Sequence, residues 1–467
     1  MKKMIVLLLC CFTTVSIMGS APMANPTENS KDNSFVGRYV CLSPLERDSL
    51  PRWNLRETDV SVLDGLLALP TTWGLVQSYL SNRGFSDESM QRVLFLLERE
   101  AGRHTLSLSC VYRSVSPRGD SLWVSGKVYL PRSRRVRGVV LAPHFTICSD
   151  NEAPSRSVGL EVVFALQGYV VVVPDYVGYG ISSHLTHPYL HWRSAATTAV
   201  DMLNAVPDLM AYYGYEVNST IDKGLRIKDE RLNSSDSENS ETNVTSPSSF
   251  ILHPSSPKIP LWIVGYSQGA AGALGAVRLL EEREDTIWQV VGLYAGAGPY
   301  DVAGTYDTCV AADSTGIPCA IPMLVMGTSE AYGLDLRKED FFCEPLLSHY
   351  EEWIGEKRYT MNAIKARMVS CRLSDAMTHA GMDKTSPETA RFYEALEQSS
   401  IVGYVPQCPA YFFHSTEDDM VPCMNTQRQQ QSCGGVERMV FDIAPYGSHT
   451  EACLTFFGKV YRELHSY

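Results

Sequence analysis

Gly265-Tyr266-Ser267-Gln268-Gly269 stands between a short apolar run, Ile259–Val264, and a stretch of small residues with helical character, Gln268–Glu284. A strand that turns at once into a helix leaves almost no room at the bend. Side chains two before and two after the serine would collide there, so both positions are glycine. The serine is left exposed at the carboxyl end of the strand and at the head of a helix, whose first amides can stabilise an oxyanion. In this setting G-x-S-x-G reads as a nucleophile elbow with Ser267 as the nucleophile, and not as a glycine-rich turn with a surface serine.

The surrounding pattern supplies the sheet such an elbow needs. His104–Ser114 and Ser121–Leu130 alternate apolar and polar residues across Pro117–Asp120, a hairpin signal. Short buried strands at Gly138–Ala142, Tyr169–Val173, Ile259–Val264 and Gln289–Tyr294 alternate with helices at Ser157–Gln167, Arg193–Tyr213 (with a kink or break at Pro207) and Gln268–Glu284. Repeated strand–helix units predict an α/β fold, a mostly parallel central sheet with helices on both faces. Residues 216–258 are rich in Ser, Asn, Asp and Pro, so they read as a flexible surface insertion. Pro299–Val405 is long and mostly helical, for example over Glu351–Arg372 and Pro387–Gln398. Inserted after a sheet strand, it is expected to lie over the carboxyl ends of the strands as a helical cap or lid. Its Met361, Ile364, Met368 and Val369 form either the underside of that lid or the core of the cap itself.

A serine hydroxyl is a poor nucleophile until a base takes its proton. Ala410–Phe413 is a buried strand followed by the acids Glu417, Asp418 and Asp419 and by Val421-Pro422. Asp418 has the spacing of a triad acid, which leaves the other two as solvated turn residues. His449 follows the last predicted strand, Val436–Ile443, in a loop directly before a helix over Thr450–Arg462. It alone of 11 histidines has the right order, Ser…Asp…His. His144 is expected to shape the loop after its strand and His414 to be structural. Pro188 breaks any helix that would align His184, His187 and His191 on a metal. One oxyanion donor is expected from the amide of Gln268, the other from the loop Pro143–Thr146.

Length and charge narrow the class. The 467 residues carry a formal net charge of −12, which argues against nucleic acid as a partner. Met1-Lys2-Lys3, the apolar Ile5–Leu9 and the small residues of Gly19–Ala24 have the layout of a secretory signal peptide, so a secreted or periplasmic protein is expected. A lipid anchor at Cys10 or Cys11 is not, because Leu9 precedes Cys10 and the apolar run is very short. Of 13 cysteines, 11 would remain after cleavage. Export permits disulfides, Cys309/Cys319 and Cys423/Cys433 being the nearest in sequence, and an odd number leaves at least one thiol over. The absence of C-x-x-C speaks against a metal centre.

Pro174–Gly180, His187-Pro188-Tyr189, Gly265–Gly269 and the Asp418 and His449 stretches together resemble the secretory lipase family of α/β-hydrolases, from about Tyr112 to the C-terminus except for 216–258. The elbow is common to all α/β-hydrolases; the Pro174–Gly180 and His187–Tyr189 pair is the more specific part. The resemblance implies an exported carboxylic-ester hydrolase, a lipase or esterase acting on a small-molecule or lipid ester without a cofactor. If Met361, Ile364, Met368 and Val369 form the underside of a lid, its opening exposes an apolar surface that favours transient contact with a lipid interface. The family's second oxyanion residue, aligned through Ala153-Pro154-Ser155, falls on Thr146, where the family often has an acidic residue. The expected organisation is a signal peptide over 1–24, a partly helical extension over 25–103 (periodic in Leu55–Glu100), a first core part over 104–298, a cap over 299–405 and a second core part over 406–467. A carbohydrate (acetyl or feruloyl) esterase and a serine peptidase use the same triad on the same fold. A non-catalytic binding protein is a further alternative, against which the intact Ser, Asp and His argue.

Overall fold

The computed structural model describes residues 40–41, 58–61, 104–217 and 258–467, apart from 284–285, 369 and 388. The predicted signal peptide, the periodic stretch Asp87–Glu98, most of the 216–258 insertion and Val369 lie outside the described residues. In chain order the strands are β1 (Val40–Cys41), β2 (Thr58–Ser61), β3 (His104–Val115), β4 (Ser121–Leu130), β5 (Arg135–Val136), β6 (Val139–Leu141), β7 (Val170–Pro174), β8 (Glu216–Val217), β9 (Ile259–Tyr266), β10 (Trp288–Gly296), β11 (Ala410–Ser415) and β12 (Met439–Ala444).

The sheet runs β1-β3-β4-β7-β6-β9-β10-β11-β12, with β2 pairing β3 outside this path. From β7 to β12 every pairing is parallel, whereas β3, β4 and β7 join antiparallel. The mixed sheet thus has the expected parallel part, with the predicted hairpin as its antiparallel extension. The parallel strands are short apolar runs such as Val170-Val171-Val172-Val173, buried on both faces, as a doubly covered sheet requires. Helices α1 (Trp192–Tyr212) and α2 (Gln268–Glu281) cover one face, bringing Ala196, Val200 and Ala270 against Leu141, Val172 and Ile263. The other face packs Val163 and Phe164 with Phe456, Phe457 and Val460 of the C-terminal helix.

Between β10 and β11 the chain forms a helical insertion with its own core: α3 (Val302–Ala312), α4 (Ala320–Tyr332) and α5 (Ala390–Gln398) with shorter helical pieces, packed through Tyr306, Leu324, Ile364 and Phe392. Then come α6 (Met424–Ser432) and α7 (His449–Ser466).

Several local expectations change. Thr58–Ser61, inside the stretch read as helical, is a strand on the sheet edge. Only Val162–Ala165 of Ser157–Gln167 is α-helical; the amides of Val162, Val163, Phe164 and Gln167 bond three residues back, the tighter pattern that keeps helical pieces short. α1 continues through Pro207, with Val206, Leu209 and Met210 buried on either side of it. Glu351–Arg372 is not one helix. A turn of π-helix over Glu351–Gly355 is followed by Lys357 at φ 53°, and Thr360 then caps a new helix, Met361–Lys365.

Candidate active site

The elbow forms as its composition demands. Ser267 adopts φ 56° and ψ −129° between β9 and α2, a conformation side-chain-bearing residues rarely take. Its amide donates to Gly296 O at 2.8 Å, pinning the turn to the end of β10. A Cβ on Gly265 would sit 2.1 Å from Gly269 O, and one on Gly269 would sit 2.1 Å from Pro143 O. The second glycine therefore makes room for the loop after β6 as well as for the turn itself.

That loop, Pro143–Ser149, is held mostly by residues of the Pro174–Gly180 and His187–Tyr189 stretches. Tyr176 Oη donates to His144 O at 3.0 Å and Tyr179 Oη to Ile147 O at 2.6 Å. The Thr146 and Tyr189 hydroxyls share a hydrogen bond of 2.9 Å. His144 shapes the loop too, its ring nitrogens facing Phe145 O at 2.6 Å and Asp175 O at 3.2 Å. Burial pushes its pKa down to about 4 despite those carbonyls.

Gln268, the first residue of α2, has its amide at the helix end, where amides lack an acceptor within the helix. Its side-chain Nε2 donates to His187 Nε2 at 2.8 Å, and His187 Nδ1 donates to Val177 O at 2.8 Å. Burial pushes His187 down to about 3, so the ring is neutral and this tautomer is fixed. The neighbouring histidines have other surroundings: His191 accepts from Ser194 N as the cap of α1, and His184 is exposed.

His449 is the first residue of α7, and not part of a preceding loop; Ser448 caps that helix in a reciprocal box with Glu451. Its Nδ1 donates to Asp418 Oδ2 at 2.6 Å. The Asp418 side chain is 0% exposed, and its Oδ1 accepts the amides of Met420 and Val421 at 2.9 and 2.8 Å. Burial alone would raise its pKa, but hydrogen bonds from His414 and His449 hold it well below the carboxylate range. His414 is more than structural filling. Its Nε2 faces Val421 O at 3.0 Å and Asp418 Oδ2 at 3.4 Å, while its Nδ1 meets the Thr426 hydroxyl at 2.7 Å.

Glu417 and Asp419, expected to be solvated turn residues, are exposed but not idle. Glu417 accepts Gly447 N at 2.9 Å and Asp419 accepts His449 N at 3.0 Å. All three acids grip the histidine segment, and only Asp418 reaches the ring.

Two cavities meet at Ser267. One, of about 80 Å³, is lined by Ser267, His449, Thr146, Phe145, Met361 and Cys453, among others. The other, of about 40 Å³, runs from Ser267 and Gln268 to Tyr306, Ile321 and Leu324 of the insertion. Ile317 and Met420 wall both. The four insertion residues singled out in the sequence therefore divide: Met361 faces the Ser267 cavity, Ile364 and Met368 are core of the insertion, and Val369 is not described.

The cysteine pairs nearest in sequence are not the ones brought together. Cys423 and Cys433 cap opposite ends of the nine-residue α6, so they stand about 15 Å apart at 1.5 Å per residue, beyond disulfide reach. Cys319 Sγ instead lies 3.4 Å from Cys148 Sγ. Among the described residues no cluster of His, Cys, Asp and Glu could hold a metal, and no helix is long and apolar enough to cross a membrane.

The holding roles of His187, Tyr176, Tyr179, Tyr189 and His414 were not legible in the sequence. The only signal was that most of them fall in the two stretches that carried the family resemblance.

No protein-family model matches the chain, and no curated protein matches it in sequence. Solved structures do. A Legionella pneumophila protein assigned as a hydrolase superposes with a TM-score of 0.60 at 18% identity, covering 78% of this chain and 89% of its own. The rice cell wall degrading esterase LipA from Xanthomonas oryzae gives 0.59 at 17%, covering 78% and 90%. Candida antarctica lipase A in its closed state gives 0.51 at 15%, covering 74% and 73%. With the strand order, the elbow and the helical insertion before β11, these likenesses establish that the chain has the α/β-hydrolase fold.

Proposed function

We propose that the protein is an exported serine hydrolase that cleaves carboxylic esters. The observation that carries this reading is that Ser267, strained at the head of α2, lines one cavity with His449, whose ring is bonded to the buried Asp418. In this reading His449 Nε2 takes the Ser267 proton as Oγ attacks the ester carbonyl, and Asp418 fixes the tautomer and steadies the imidazolium. The amides of Gln268 and Thr146 receive the oxyanion. The tetrahedral intermediate collapses to an acyl-enzyme as His449 returns the proton to the departing alkoxide, and water then repeats the sequence on the acyl group.

Proton return to the alkoxide orients the substrate. The alcohol part must face His449, which lines only the 80 Å³ cavity, so the acyl part enters the 40 Å³ cavity toward Ile321 and Leu324. The acyl cavity is the smaller of the two, about 40 Å³ against about 80 Å³, and the buried Ile321 and Leu324 wall it, which favours short acyl chains. Short-chain esters are the expected substrates, with the insertion acting as a cap whose Ile317 and Met361 shield the reaction from water. The same short cavity favours a second reading, a carbohydrate acetyl esterase, separated from the first by comparing an acetylated polysaccharide with simple alkyl acetates.

Labelling with a fluorophosphonate and hydrolysis of p-nitrophenyl esters from acetyl to dodecanoyl test the proposal. Label on Ser267, with rates falling beyond short acyl chains and rising for longer ones in Leu324→Ala, is the expected result. A protein that takes no label and cleaves no ester, or that prefers aminoacyl-anilides, is not an esterase. Smooth saturation of a medium-chain ester, without a jump at its solubility limit, marks an esterase; a jump marks a lipase with a mobile lid.

A further inference from the structure

Two thiols remote in sequence meet where the loop carrying Thr146 touches the helical insertion. Cys148 lies two residues beyond Thr146, in the loop whose carbonyls are held by Tyr176 and Tyr179. Cys319 is the residue on which α4 begins. Their sulfurs are 3.4 Å apart across a separation of 171 residues, and both side chains are buried. The Met323 sulfur lies 3.8 Å from Cys148 Sγ on the next turn of α4, so the surroundings are soft and apolar.

A disulfide bond measures about 2.05 Å, and its formation from contacting thiols asks each side chain for a rotamer adjustment rather than a movement of the fold. We propose that Cys148 and Cys319 are a cross-linking site, where a disulfide ties the loop beside Ser267 to the helix that walls the neighbouring cavity. The reaction is thiol–disulfide exchange with a small oxidised disulfide such as oxidised glutathione. One protein thiolate attacks a glutathione sulfur and displaces one reduced glutathione. The second protein thiolate then attacks the mixed disulfide and displaces the other. Two protein thiols lose two protons and two electrons, and one glutathione disulfide becomes two thiols.

Access is through a cavity that Ser267 does not line. Cys148 lines a separate cavity of about 350 Å³ whose walls include His184 and Thr186, both exposed. The contact with Cys319, and then burial, push the Cys148 thiol pKa upward. Exchange therefore runs through a small thiolate fraction and quickens as pH rises.

The tether has a mechanical meaning. α4 supplies Ile321 and Leu324 to the cavity next to Ser267, and the loop supplies Thr146. With the bond closed, α4 cannot draw away from the loop; with it open, only non-covalent packing restrains the two. A cross-link closing so long a loop also restricts the unfolded chain more than a local one would.

The test uses the full chain and needs no assumption about its activity. Purified protein is equilibrated with mixtures of oxidised and reduced glutathione at mildly alkaline pH, alkylated, digested without reduction and analysed by mass spectrometry. The expected result is a cross-linked pair of peptides containing Cys148 and Cys319, lighter by two hydrogens than the two free peptides. Oxidised protein should melt several degrees higher than reduced protein. That difference should vanish in Cys148→Ser and in Cys319→Ser. Failure to find the cross-linked pair in wild-type protein under the most oxidising mixture, or melting curves that coincide in both states, overturns the proposal. The peptide measurement on wild-type protein stands even if a serine variant does not fold.

Discussion

Asp419 accepts the backbone N–H of His449 at 3.0 Å, so the acid next to the one that holds the imidazole holds its main chain. The two contacts predict different costs. Asp418→Asn presents an amide where Nδ1–H needs an acceptor and favours the wrong tautomer, so kcat should fall by about 10⁴. Asp419→Asn keeps a carbonyl oxygen for the His449 amide and should change kcat only a few-fold. Steady-state kinetics of the two variants on one ester decide, and the reverse order would move the ring's partner by one residue.

Ser267→Ala and His449→Ala should each abolish nearly all turnover, with the double variant losing little more, because the residues act as a unit. Multiplicative losses in the double variant would mean that the two side chains work independently.

The Gln268–His187 contact positions the residue whose amide is read as an oxyanion donor. His187→Phe keeps a ring in that buried place and removes the acceptor. The loss of one such bond, worth about 1 kcal/mol, should lower kcat by about five-fold, with KM little changed. Since the ring is already neutral down to a pKa of about 3, the variant should leave the acid limb of the pH–rate profile where it was.

Glu161 is a buried carboxyl, 4% exposed, and burial raises its pKa from 4.5 to about 7. The native state thus binds more protons than the unfolded one between those values, and stability falls as pH rises through that window. At a rate of ~1.4 kcal/mol per unit the charged form costs about 3 kcal/mol above pH ~7. Glu161→Gln should therefore melt higher than wild type at pH ~8 and nearly the same at pH ~4. An equal difference at both would exclude the carboxyl's ionisation as the cause.

Much of this could be read from residue order, because strand and helix periods are local. The elbow, the parallel strands, the hairpin and the place of His449 before the last helix all leave a signature within ten or twenty residues. Asp418 could be chosen from three acids by its spacing to Val421, whose amide it accepts. What stayed hidden depends on distant chain segments. His187 gives no sign in sequence that its partner is Gln268, 81 residues on. Cys319 meets Cys148 and not the nearer Cys309, because α3 and α4 are placed by packing rather than by sequence distance. The predicted helix Glu351–Arg372 failed for a related reason. Its apolar spacing is helical, but Ile354 and Ile364 reach one core through a chain that turns at Lys357 and restarts at Thr360.

Gly327 lies in the middle of α4, and a Cβ there would stand 2.5 Å from Tyr189 N and 2.7 Å from His187 O. The helix thus rests bare backbone on the same short segment that braces Gln268 and Thr146. Grafting is constrained accordingly. A foreign insertion spliced onto this core would need a glycine at that point, and without it would lift the segment and slacken both sides of the proposed oxyanion site together. The insertion is in this sense a wedge cut to fit its own core, with Gly327 at one of its contact points.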